Sequence, residues 1–194
     1  NDSNNKIQYL DIAIDHFNNA SIIKPSDANT YTTLAKCYLD KGDKNAAKEA
    51  VILAVEKNPD SFEANFSAGQ ILGRTGLSSK EVLPYYKKAV ELDPSNSKVL
   101  RELAGAYYDI GEKEESITIF KNAITNEEDK IIKADLYFNL GVIYSQMCDY
   151  EEAEKAFDEA FFLNEEDFEA ALGMARSYEG LGDNYLNGGE GCGG

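Results

Sequence analysis

The 194-residue chain has no tryptophan, one histidine, two methionines, three cysteines, four prolines and three arginines. Each shortage closes a class of explanation. The lone histidine, His16, has no nucleophile or second base grouped with it, so no catalytic constellation can be assembled. Cys37, Cys148 and Cys192 are odd in number and far apart, which is neither a disulfide framework nor a zinc pattern. Cys37 reads as a small core residue and Cys148 stands where a turn glycine is expected. Cys192 falls in a glycine-rich tail with no role assigned. No apolar run approaches the roughly 18 residues of a membrane span, and no signal-peptide pattern is present. Basic residues number 19 against 35 acidic, a formal net charge of −16. No basic stripe is left to neutralise phosphates, which argues against nucleic acid and against insertion into or docking on anionic membranes. The first residue is Asn1, not Met, which reads as a processed product or a piece of a longer chain.

What the chain does have is periodic hydrophobicity. Tyr31, Leu34, Ala35 and Tyr38 stand at i, i+3, i+4 and i+7, one face of a helix. Ala47, Val51 and Ala54 form the stripe of a second helix. Gly42 between them suits a left-handed helix end, and Pro59 after them cannot continue a helix. The unit is helix A, tight turn, helix B and a proline-marked link. It recurs. Phe17, Val51, Tyr86, Phe120 and Phe157 follow one another at steps of 34, 35, 34 and 37 residues, with Ala20, Ala54, Ala89, Ala123 and Ala160 in phase. On the A helices, Tyr38, Leu72, Tyr107, Tyr144 and Tyr178 recur, each preceded by three residues by Ala35, Gly69, Ala104, Gly141 or Ala175. Pro25, Pro59 and Pro94 close copies, and Gly42, Gly76, Gly111 and Gly182 mark the A–B turns.

This period, with small residues set against aromatics, resembles the tetratricopeptide repeat family over about residues 7–183. The resemblance implies an all-α, right-handed solenoid of antiparallel helix pairs: four full repeats between two half-repeats. The expected divisions are a polar extension at 1–6, a helix-B half-repeat at 7–27 and full repeats at 28–61, 62–96, 97–133 and 134–167. A helix-A half-repeat at 168–183 and a glycine-rich tail at 184–194 complete the chain. The pattern departs in places. The early aromatic of helix A is Tyr31 or Tyr137 in two copies but Asn65, Leu100 or Ala171 in the others. Glu128 and Glu165 replace the later closing prolines, and the link before the fourth repeat carries three extra residues.

The acidic clusters Glu112/Glu114/Glu115 and Glu151/Glu152/Glu154 open B helices, where the helix dipole favours them, and read as a solvated outer face. The runs at 127–129 and 165–167 lack the alternating ligands and glycine of a calcium loop. No enzyme, cofactor or metal is therefore expected. The resemblance implies instead a concave helix-A groove that binds an extended peptide or partner segment. Its residues are Lys36, Gln70, Arg74, Lys98, Arg101, Tyr108, Phe138, Asn139 and Arg176, with Thr32, Ser145 and Gln146 beside them. All three arginines map to this face, so an acidic partner is among those expected. A chaperone-tail clamp of the kind some relatives carry is not expected, because Thr32, Lys36, Ser67 and Glu102 do not fit it and only Lys98 does. The alternative is head-to-tail self-assembly into a filament, through Ile14 and Phe17 at one end and Phe168, Leu172 and Tyr178 at the other. Sequons at Asn1, Asn19 and Asn65 and the missing Met lean towards an exported (periplasmic or extracellular) protein.

Overall fold

A computed structural model describes residues 2–186, with side chains from residue 5. All regular structure among these residues is helical. The chain divides between Pro94 and Ser95 into two compact units. The first holds α1 (Asp2–Ile23), α2 (Ala28–Lys41), α3 (Lys44–Lys57), α4 (Phe62–Thr75) and α5 (Ser79–Leu92). The second holds α6 (Ser97–Asp109), α7 (Lys113–Asn126), α8 (Lys130–Gln146), α9 (Tyr150–Leu163) and α10 (Phe168–Leu186).

Local chemistry sets most helix ends. Asp27, Asp43, Ser61, Asn96, Asp129, Asp149 and Asp167 cap helices by accepting a backbone N–H two or three residues on. Ser78 and Glu81 form a reciprocal capping box on α5. Gly42, Gly76 and Gly111 end α2, α4 and α6 at positive φ, and each N–H bonds the carbonyl three residues back. Cys148 occupies the same place after α8 with φ 61° and the same bond, to Ser145 O.

Each unit packs by setting rings against small residues. In the first, Ala28, Tyr31, Ala54 and Ala64 are buried together where α2, α3 and α4 meet. The Tyr86 ring of α5 lies so close over Gly69 of α4 that an added Cβ would stand 2.7 Å from its Cδ1 and Cζ. In the second, Phe157 of α9 is inserted between Gly141 of α8 and Gly173 of α10. A fully buried side chain of Leu or Val size contributes about 1.5–3 kcal/mol. The fully covered Val51 and Leu72 of the first unit, and Val99, Leu100 and Leu136 of the second, therefore carry much of the stability.

The structure explains one departure from the repeat pattern. The Tyr31 hydroxyl donates to Pro25 O at 3.2 Å. Asn65, in the equivalent place, donates from Nδ2 to Pro59 O at 2.8 Å and to Ser61 O at 2.9 Å. The amide thus ties down the same link carbonyl that the phenol does. It is 3% exposed, which removes Asn65 as a glycan acceptor in the folded chain. Asn19 is exposed, and Asn1 lies outside the described residues.

Three expected boundaries and one expected turn shift. Residues 2–6 belong to α1, since nothing in that polar stretch breaks a helix. Lys130–Lys133, assigned above to the third repeat, form the first turn of α8, because the Asp129 carboxylate accepts from Ile131 and Ile132 N–H. Gly182 is not a turn. It lies inside α10, which runs on through 184–186; glycine permits a left-handed helix end without imposing one. The tail beyond Leu186, with Cys192, lies outside the described residues. Cys37 is a half-buried free thiol, and burial pushes its pKa up.

Candidate functional site

The groove residues of the first unit stand on α2 and α4. Thr32 is buried, its hydroxyl donating to Asn29 O at 3.0 Å, so it offers nothing outward. Lys36 is exposed but engaged, with Nζ 2.9 Å from Glu63 Oε1. The same carboxylate oxygen accepts from Ser67 Oγ at 3.0 Å. Gln70 and Arg74 follow one another by a turn on α4. Arg74 is exposed, and no carboxylate among the described residues lies within ion-pair distance of it.

In the second unit the expected residues divide. A cleft of about 190 Å³ is lined by Phe138, Val142, Ser145 and Gln146 of α8, Tyr150 and Phe157 of α9, and Glu169, Gly173 and Arg176 of α10. Helical spacing builds it: Phe138, Val142 and Ser145 lie at i, i+4 and i+7, and Glu169, Gly173 and Arg176 repeat those offsets. Phe138 and Phe157 make a tilted pair with centroids 5.6 Å apart, a favourable edge-to-face arrangement. Gly173 leaves the space, because any side chain there would strike the Phe157 ring. Arg176 is exposed at the rim, and among the described residues no carboxylate lies within ion-pair distance of it. Tyr108 joins from α6, its hydroxyl donating to Gln146 Oε1.

Three residues stand apart from this cleft. Arg101 Nη2 lies 3.5 Å from Glu102 Oε1, the Asn139 amide donates to Asp135 O at 2.6 Å, and Lys98 is an exposed side chain on the first turn of α6. Sequence reasoning missed Val142, Tyr150, Phe157, Glu169 and Gly173. Phe157 was legible only as a core residue, yet one edge of its ring lines the cleft. The available signal was that Gly141 and Gly173 flank a large ring from two different helices.

The end-contact residues are corrected in part. Ile14 is 8% exposed and packs inside the first unit, and Phe17 is half-buried with it. The reason is that the α1 stripe Leu10, Ala13, Ile14 and Phe17 faces α2. The outward apolar residues of α1 are Ile7, Tyr9, Ile12, Ile22 and Ile23 instead. On α10, Phe168 is 71% and Tyr178 60% exposed, while Leu172 is half-buried. The Tyr178 hydroxyl donates to Glu154 Oε1 at 2.7 Å, and that carboxylate raises the pKa of the phenol. Among the described residues, no group of three His, Cys, Asp or Glu side chains is placed to hold a metal ion. Among the described residues, no helix is long and apolar enough to cross a membrane.

Comparison with known proteins agrees with this fold. Residues 32–97 and 134–167 match tetratricopeptide repeat family models and together take in just over half of the chain. The type IV pilus assembly protein PilF of Pseudomonas aeruginosa is 27% identical over 149 residues, 76% of this chain. The chain spans only 58% of that relative's length. Among solved structures, MamA superposes with a TM-score of 0.74 at 24% identity, covering 81% of this chain and 84% of that one. YrrB, described as a TPR protein with an unusual peptide-binding site, gives 0.72 at 21% identity over 86% and 84%. At these identities the two structures establish the fold alone. The all-α helix-pair solenoid class expected from the sequence is the observed one, and the chain belongs to the tetratricopeptide repeat family.

Proposed function

We propose that the chain is a non-enzymatic protein–protein interaction scaffold whose second unit holds an extended partner segment in the Phe138–Phe157–Arg176 cleft. The observation that carries this reading is the convergence of an apolar aromatic wall with an arginine that has no carboxylate partner among the described residues. The wall accepts an apolar side chain. The planar guanidinium pairs with a carboxylate of the partner by two parallel hydrogen bonds. Ser145 and Gln146 would bond partner backbone. Arg74 and Gln70 offer the same chemistry on the first unit, and Lys36, Lys98, Arg101, Tyr108 and Asn139 are retained as flanking residues. The test is titration calorimetry with a partner recovered by pull-down. Arg176→Ala should weaken binding about tenfold, as truncating one partner of a charge pair does, with the circular dichroism spectrum unchanged. Binding indifferent to both Arg176→Ala and Arg74→Ala would sink the reading.

A second reading rests on the exposed Tyr9 and Ile12 of α1 and Phe168 and Tyr178 of α10. Apolar helix faces of this kind are covered when repeats stack, so the chain would assemble head to tail with other copies. The likeness to a pilus assembly protein supports an assembly role and an exported setting. Light scattering should then show mass rising with concentration, and Phe168→Glu should abolish the rise. A constant monomer mass would leave only the cleft reading.

A further inference from the structure

Among the described residues, Cys148 alone of the non-glycines has a positive φ, 61°. The corresponding turns after α2, α4 and α6 use Gly42, Gly76 and Gly111. A side chain at such a φ crowds its own backbone, which glycine avoids. The sulfur at this position is engaged. Wide cysteine spacing argues against a disulfide framework, yet Cys148 is disulfide-bonded. Cys37 is a free thiol. The chain holds three cysteines, so Cys192 is the remaining partner within it. The surroundings of Cys148 fit a bond to the tail. A second cleft, of about 530 Å³, opens beside it, between Tyr150 of α9 and Leu181, Asn184 and Tyr185 of α10. α10 is seated there by Gly180, where an added Cβ would stand 2.6 Å from Cε1 and Cζ of Tyr150. Cys192 follows Leu186 by six residues. Six residues reach at most about 20 Å at about 3.3 Å each, which is about twice the spacing of packed helices. Gly188, Gly189 and Gly191 in that stretch permit a sharp return of the chain.

We infer that Cys148 and Cys192 form an intrachain disulfide, a latch that ties the tail to the α8–α9 turn and holds the last turns of α10 against Tyr150. Its formation joins the two sulfurs and releases two protons and two electrons. A low-molecular-weight disulfide takes these up and becomes two thiols. The latch is closed in an oxidising compartment and open where thiols are kept reduced. It stands independently of what the Phe138 cleft binds.

The test uses the whole chain equilibrated with oxidised glutathione, then denatured and alkylated with iodoacetamide without reductant. Trypsin cuts after Lys133, Lys155 and Arg176. Mass spectrometry should therefore find peptide 134–155 joined to peptide 177–194, two hydrogens lighter than their sum, with Cys37 alone alkylated. Amide exchange then reads the latch. Reduction with a phosphine should speed exchange at Leu181 and Asn184 about 30-fold or more, the lower end of what closing such a loop contributes, and leave α4 unchanged. Cys192→Ser should give the fast exchange even in oxidant, and it leaves the α8–α9 turn untouched. Cys148→Gly should do the same while restoring the residue that the φ of the turn favours, so a misfolded turn cannot account for either effect. Cys37→Ser should change nothing. Three results overturn the inference: alkylation of all three cysteines after oxidation, a bond from Cys148 to any sulfur other than that of Cys192 in the same chain, or exchange at Leu181 and Asn184 that ignores both reduction and Cys192→Ser.

Discussion

Alanine in place of Gly69 should destabilise the first unit, although alanine is the better helix former. In an exposed helix interior the exchange gains about 0.8–1.0 kcal/mol. At Gly69 the new Cβ would stand 2.7 Å from Tyr86 Cδ1 and Cζ, well inside contact. The ring is buried and packs on Phe66 of α4, with centroids 6.4 Å apart, so it cannot swing aside without displacing that neighbour. Overpacking of this kind costs about 1–3 kcal/mol, so the net loss should be about 1 kcal/mol. The same helix supplies two controls. Gly73 has open space where a Cβ would go, so Gly73→Ala should stabilise by up to about 1 kcal/mol. Gly76 has equal space but φ +112°, so Gly76→Ala should lose about 1 kcal/mol from backbone strain alone. Adding Tyr86→Val to Gly69→Ala recreates the pair found at Ala35 and Val51, and the two changes should be less harmful together than their sum. Urea unfolding followed by far-UV circular dichroism reads the order of the three glycines. Amide exchange on α4 and α5 guards against loss of cooperativity between repeats. If Gly69→Ala raises the midpoint as Gly73→Ala does, the ring yields freely and the ring-over-glycine packing is not a constraint.

Asn65→Ala should cost about 1–2 kcal/mol, because it leaves Pro59 O without its donor. Asn65→Asp should cost more in the same urea assay, since a carboxylate would face two carbonyls. Leu136, fully buried in the second unit, should lose about 2–5 kcal/mol on replacement by alanine. Glu127 accepts from the Ser97 hydroxyl and from the N–H groups of Asp129 and Glu128, and the serine above all holds its pKa below the ordinary glutamate range. A depressed carboxylate stabilises the folded state at neutral pH and loses that contribution as pH falls through its folded value. Acid unfolding of the wild type should therefore include a step that Glu127→Gln lacks, measured as the difference in melting temperature between neutral and acid pH.

Much of the architecture was legible because solenoid packing is local. Each helix buries its stripe against near neighbours, so period, stripe and turn glycine determine one another. The link carbonyl held by Tyr31 and by Asn65 shows the limit of residue classes: two unlike side chains meet one backbone need, and only coordinates reveal it. The candidate site was legible in part. The pattern placed Phe138 and Arg176 on the helix-A side, but it could not show that Lys36 is taken by Glu63 and Arg101 drawn to Glu102. Those pairings depend on rotamers and on which carboxylate the fold brings within reach. Nor did it separate Gly182, which stays helical, from Gly76, which turns. By itself the sequence determined that the chain is a run of paired helices of acidic composition, because apolar period and charge are properties of the chain. Only the tertiary structure decided which arginines are free, that Ile14 is buried, and where two clefts open in the second unit. Those outcomes depend on side chains from three helices meeting at a point, and no spacing along the chain encodes that meeting.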